Sequence, residues 1–261
     1  MGNSYGQSWY KIHEYAGKTF AWCPSDTEQR FDDNMAYPKN RHRLENNRWA
    51  RDSISYTFNK DGFRSEEFNY EPDNSVLFLG CSLTIGIGMR LEDTWAYKVA
   101  NALGLRRYNL GVSGGGPDMC FRLAYHWIPR LRPKYAVMLT PSAERLEIVM
   151  DNTIMKYLPS SATNQNEFYR DWLSHPSNAD MNRLKSVMGV KTICNNISVP
   201  LVEIPVENCW SRRENKQPGI PDIIQSQGVV KEIGRDLMHP GGPWHDQVAN
   251  YILDELRIIH K

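Results

Sequence analysis

The pattern of apolar and polar positions divides the chain in two. From residue 74 onward, short apolar runs alternate with stretches of helical spacing. "SVLFLGC" (75–81) predicts a buried strand, and "EDTWAYKVANALG" (92–104) an amphipathic helix ended by Gly104. "RRYNLGV" (106–112) predicts a second strand. "PDMCFRLAYHWIPRL" (117–131) predicts a helix with Pro117 in its first turn, where a missing N–H costs nothing. "KYAVMLT" (134–140) and "VPLVEIPV" (199–206) read as the third and fourth strands. "ADMNRLKSVMGVKTICNN" (179–196) and "PWHDQVANYILDELRIIH" (243–260) read as further helices. Strands alternating with helices imply a parallel sheet covered on both faces. The expected fold is a three-layer αβα sandwich with a mostly parallel, flavodoxin-like sheet, over residues 73–261.

Residues 1–72 break this rhythm. "RFDDNMAYPKNRHRLENNRWARDS" (30–53) has no clear period, so an irregular extension wrapping the main domain is expected there. Within it, "SISYTFNKDGF" (53–63) reads as an edge strand with an Asn-Lys-Asp-Gly turn. A loop-rich insertion is expected at about 151–179, where a long loop could form a lid or a groove wall.

Composition narrows the class. With 31 Lys and Arg against 30 Asp and Glu in 261 residues, the net charge is +1. Such a balance offers no electrostatic footprint for nucleic acid or an anionic membrane surface. No apolar run is long enough to span a bilayer. The five cysteines are scattered, with no CxxC pair, which points away from a zinc ribbon or a disulfide framework. The amino terminus lacks the features of a secretion signal, so the expectation is a cytoplasmic protein.

In open parallel sheets, ligands bind beyond the carboxyl ends of the strands. Ser82 falls there, just after the first strand, with an exposed hydroxyl and an unpaired N–H. Its surroundings are not GxSxG, so no α/β-hydrolase elbow is indicated. Consecutive glycines at 114–116, after the second strand, allow the backbone to approach a ligand closely. No GKS, GKT or GxGxxG accompanies them, which weakens a phosphate or dinucleotide site. Near the last helix, "RDLMHPGGPWHD" (235–246) puts Asp236 three residues before His239. A serine nucleophile needs a base, and the base a partner that fixes its tautomer; this pair supplies both. His239 with His245 and Asp246 is the rival metal reading, at poor ligand spacing.

Together, "FLGCSLT", "NLGVSGGG" and "DLMHP", in this order, resemble the SGNH or GDSL-type hydrolase family. "ISYTFNKDGFRSEE" (54–67) is similar to the Asn-x-x-Gly-Phe-Arg lead-in of many such domains. The resemblance spans roughly residues 54–257. It implies that Ser82 is the nucleophile, His239 the general base and Asp236 its orienting partner. The Ser82 and Gly114 N–H groups would form the oxyanion hole. Two departures stand out. Cys81 replaces the aspartate of Gly-Asp-Ser-Leu, and "LTPSAERLE" stands where Gly-x-Asn-Asp is expected. Ser142 falls nearest that asparagine position, so the resemblance makes its hydroxyl the candidate third donor of the oxyanion hole; Asn152, further on, is the alternative if it folds back.

The resemblance implies a serine esterase acting on a small acyl group, acetyl in family terms, on a small-molecule or carbohydrate ester, with no cofactor and no metal. An O-acyltransferase, a non-catalytic carbohydrate-binding or structural protein, and a nucleotide-binding flavodoxin-like protein are the alternatives. Arg145, beside Glu144, is read as a substrate contact or half of a local ion pair. Trp210, with Arg212 and Arg213, is read as a further substrate contact. Trp95, Tyr97, Phe121 and Trp127 are expected in the core.

Overall fold

The computed structural model describes residues 7–150, 153–159, 166–209 and 232–259. Two short strands, β1 (Thr19–Phe20) and β2 (Tyr56–Thr57), pair antiparallel in the amino-terminal region. The principal sheet comprises β3 (Ser75–Leu79), β4 (Arg106–Asn109), β5 (Tyr135–Thr140) and β8 (Leu201–Pro205). Its order is β4-β3-β5-β8, and every pairing is parallel. A hairpin of β6 (Leu146–Val149) and β7 (Ile154–Tyr157) stands apart.

Burial on both faces explains why β3 is apolar from Val76 to Leu79. Side chains alternate along a strand, so each strand feeds two cores. Val76 and Phe78 of β3, with Tyr135, Val137 and Leu139 of β5, pack against α4 (Trp95–Leu103) and α8 (Gly242–Ile259). Leu77 and Leu79, with Ala136 and Met138, face α5 (Pro117–Leu131) and α7 (Pro176–Asn196). The result is the expected three-layer arrangement. α4 has Thr94 as its N-cap and left-handed Gly104 at its end, which sets both boundaries.

The chain leaves β3 for β4 on one side and then crosses to β5 on the other. The strand order therefore reverses between β3 and β5, the kind of place where ligands bind in open parallel sheets. Among the described residues, no helix is long and apolar enough to cross a membrane.

Three expectations change. The amino-terminal region is not irregular throughout, because it holds α1 (Glu28–Ala36) and α2 (Pro38–Asn46). Each buries a single side chain, Phe31 or Leu44, so neither displays the apolar stripe that announces a helix. What starts them is capping: Thr27 accepts from the Arg30 N–H, and Pro38 sits at the first turn of α2. Among the described residues of 151–179 stand strand β7, α6 (Glu167–Ser174) and the start of α7, which the expected loop-rich insertion did not include. Phe121 is 40 % exposed, whereas Trp95 and Trp127 are buried. The Phe121 ring lies over Gly189 of α7, outside the sheet interface.

Candidate active site

Ser82 opens a four-residue helix, α3 (Ser82–Ile85), directly after β3. Gly80 makes this abrupt turn possible. It has φ +152, and a Cβ there would overlap Thr84 Oγ1 and lie 2.9 Å from the Leu139 carbonyl oxygen. Cys81 caps α3 and is buried, consistent with support of the turn.

The "NKDGFR" segment anchors this helix from below. Asn59 Oδ1 accepts from the amides of Asp61 and Phe63, fixing the turn. Phe63 packs edge-on against Trp127. The buried Arg64 guanidinium then donates to the carbonyls of Ile85, Gly86 and Met89, at 3.2, 2.8 and 3.1 Å. Five donors in a rigid fork allow one arginine to satisfy the carbonyls at the end of α3 and in the turn after it.

On the opposite side, the loop 233–241 closes like a hairpin. Gly234 N–H donates to the His239 carbonyl and Gly241 N–H to that of Glu232. Within it, Asp236 Oδ1 accepts the amides of Met238 and His239, each at 3.0 Å. This turn brings carboxylate and imidazole to one side: Asp236 Oδ2 is 2.6 Å from His239 Nδ1. His239 Nε2 is in turn 2.8 Å from Ser82 Oγ. A carboxylate only accepts, so Nδ1 carries the proton and Nε2 is the free acceptor for the serine hydroxyl. Burial by itself would raise the Asp236 carboxyl. Hydrogen bonds from the His239 ring and backbone and from the Met238 amide, with the charge of the imidazole, outweigh burial and hold it below its ordinary value.

Sequence reasoning missed the neighbours of Asp236. Ser25 Oγ donates to Asp236 Oδ2 at 3.2 Å, across 211 positions. Arg235, the preceding residue, is wholly buried against Asp26 and stacks over Trp22 at 3.9 Å. Tyr56 OH bridges Asp26 and the Gly88 N–H. No periodic signal marks these polar positions, although a Pro24-Ser25-Asp26 turn could have been suspected.

The remaining site expectations divide. The glycine block lies beside α3: Val112 N–H donates to the Gly80 carbonyl, and Gly111 abuts the Ile85 nitrogen. Gly114 has φ +69, a conformation glycine adopts without strain. Neither its N–H nor that of Ser82 donates a hydrogen bond among the described residues. Ser142 Oγ donates to the Glu144 carboxylate, so this hydroxyl is engaged elsewhere. Arg145 donates to the Gly115 carbonyl at 3.3 Å and forms no ion pair with Glu144 among the described residues. Trp210, Arg212, Arg213 and Asn152 lie outside the described residues.

His245 is no partner of His239 in a metal site. It is buried, and its Nδ1 accepts the Trp95 N–H at 3.2 Å. Burial, aided by the charge of Lys98, pushes the imidazole down to about 3. Among the described residues, no group of three or more His, Cys, Asp or Glu is placed to hold a metal ion. All five cysteines are free and buried.

A cleft of about 700 Å³ opens beyond the carboxyl ends of β5 and β8. Glu144, Asp180, Arg183, Lys191, Glu203 and Glu207 line it, while Ser82 and His239 do not.

No protein-family model matches the chain, and no curated protein matches it. Solved structures do. A protein described as an acylhydrolase from Bacteroides fragilis is 14 % identical with a TM-score of 0.36, over 74 % of this chain and 93 % of its own. An acetyl xylan esterase from Butyrivibrio proteoclasticus is 16 % identical with a TM-score of 0.36, over 72 % and 64 %. A GDSL-like lipase from Bacteroides thetaiotaomicron is 12 % identical with a TM-score of 0.32, over 71 % and 89 %. At such scores these likenesses carry no weight for the site, whose reading rests on its own geometry.

Proposed function

We propose that the chain is a serine ester hydrolase of the SGNH type, cleaving a small acyl ester through an acyl-enzyme. The observation that supports this is the hydrogen-bonded line Ser82–His239–Asp236, which joins the first residue of α3, just past the carboxyl end of β3, to the loop before α8. Ser82 Oγ attacks the ester carbonyl while His239 Nε2 takes its proton. The carbonyl oxygen becomes an oxyanion, held by the Ser82 and Gly114 N–H groups. Collapse expels the alcohol, which takes the proton back from His239. Water, deprotonated by His239, then attacks the acyl-enzyme and returns Ser82 to its hydroxyl form. Asp236 stays ionised throughout, fixing the ring tautomer and balancing the imidazolium.

With Ser142 engaged by Glu144, two backbone donors serve the oxyanion in this reading. A third donor is worth roughly 10²–10³ in rate, so modest turnover is expected.

Intact mass after exposure to a fluorophosphonate tests the proposal on wild type, Ser82→Ala and His239→Ala. One adduct in wild type, lost in Ser82→Ala and slowed about 10⁴-fold or more in His239→Ala, is the expected outcome. No adduct on folded wild type overturns the enzyme reading and favours a binding protein on the same fold. Product analysis with an added sugar acceptor separates hydrolysis from acyl transfer.

A further inference from the structure

We infer that Ser25, on the turn at residues 23–26, is a positioning residue for the Asp236–His239 pair; this rests on the esterase reading above. The turn is tight: Cys23 N–H donates to the Asp26 carbonyl at 3.0 Å, and Asp26 N–H returns to the Cys23 carbonyl at 2.8 Å. Pro24 takes the first corner. Ser25 takes the second with φ 73, a conformation that such turns normally give to glycine. A serine is strained there, since its Cβ crowds the backbone in the left-handed region. What the side chain provides is a hydroxyl 3.2 Å from Asp236 Oδ2, the same oxygen that His239 Nδ1 engages at 2.6 Å.

Asp236 has two oxygens, and the structure divides their work. Oδ1 is held by the Met238 and His239 amides of its own loop. Oδ2 faces the imidazole, and Ser25 is the donor from outside the loop that fixes its direction. The turn itself is fastened beside Asp236. Asp26 accepts Arg235 Nε at 3.1 Å and Nη2 at 2.7 Å, with both residues essentially unexposed. Arg235 N–H also donates to the Gly88 carbonyl, and Gly88 N–H donates to Tyr56 OH, which itself holds Asp26. The residue after Asp26's partner is thus Asp236, and the residue before Asp26 is its hydroxyl donor. One displacement of the turn would move both. The amino-terminal region therefore contributes a residue to the site instead of only covering the sheet.

Ser25→Gly separates positioning from stability, because glycine relieves the left-handed backbone while deleting the hydroxyl. The expected result is an unchanged or raised Tm together with a roughly tenfold slower fluorophosphonate labelling of Ser82, the rate equivalent of one hydrogen bond to a charged group. In the esterase assay kcat falls and KM stays. The low-field proton resonance of His239 Nδ1–H, which reports that hydrogen bond directly, shifts in the variant. A labelling rate and a resonance both equal to wild type would overturn the inference. Failure of wild type to label sinks the esterase proposal instead, and in that event an unmoved resonance in Ser25→Gly still rejects the positioning role.

Discussion

Removing one partner of the Asp26–Arg235 pair is the most demanding perturbation of this site from a distance. Arg235 is 0 % exposed and Asp26 1 %, so neither charge has access to water. Asp26 receives two guanidinium nitrogens and the Tyr56 hydroxyl, while Arg235 also donates to the carbonyls of Ala21 and Arg51. In Asp26→Ala the guanidinium keeps those two carbonyls and the Trp22 face but loses its countercharge. Arginine does not give up its proton to escape, so the cost is expected in the range of about 3–5 kcal/mol. For a chain of this size that lowers Tm by roughly 5–10 °C. Arg235→Met is expected to cost less, since the Tyr56 hydroxyl still donates to the Asp26 carboxylate. The double variant Asp26→Ala/Arg235→Met should recover part of the loss, because no uncompensated charge stays buried. Urea unfolding of the four proteins measures the cycle, and fluorophosphonate labelling at a temperature where all are folded shows whether Asp236 moved. A cost below about 1 kcal/mol for Asp26→Ala would refute the reasoning, since a buried unpaired guanidinium cannot be that cheap.

Two further outcomes follow from other parts of the site. His245 is buried neutral with its imidazole held down to about 3, so on acidification the unfolded chain takes up a proton that the folded chain refuses. Its contribution is complete above the ordinary histidine value and is lost as pH falls below about 6.5, by ~1.4 kcal/mol per pH unit. His245→Gln, which keeps an acceptor for the Trp95 N–H, should flatten stability against pH in that window; an unchanged slope in urea titrations would contradict this. Gly80→Ala places a methyl over Thr84 Oγ1 and 2.9 Å from a strand carbonyl. It is expected to cost about 1–3 kcal/mol and to displace Ser82, read as lost labelling in protein that remains folded by circular dichroism.

The principal sheet was legible because its determinants are local. Double-sided burial writes a continuous apolar run into β3, and caps such as Thr94 and Gly104 mark where α4 begins and ends. Ser82, Asp236 and His239 could be picked out for a similar reason: each sits at a fixed offset from a strand end or within one short turn. The helices α1 and α2 were illegible because one buried residue each leaves no periodicity to detect. The exposure of Phe121 escaped notice because an aromatic on an amphipathic helix reads the same whether it meets a sheet or the rim of a neighbouring helix.

By itself, then, the sequence determined the layers, the order of the strands along the chain and the three polar residues to which the proposed function gives the roles of nucleophile, base and partner. Which strand neighbours which, and that Ser82 stands 2.8 Å from His239, only the tertiary structure decided. It alone also joined Ser25 and Asp26 to Asp236 and Arg235, more than 200 positions away. The physical reason is that apolar burial repeats with the period of a helix or strand and leaves a trace in the chain, whereas a polar side chain meets its partner once, at a place set by how the elements pack.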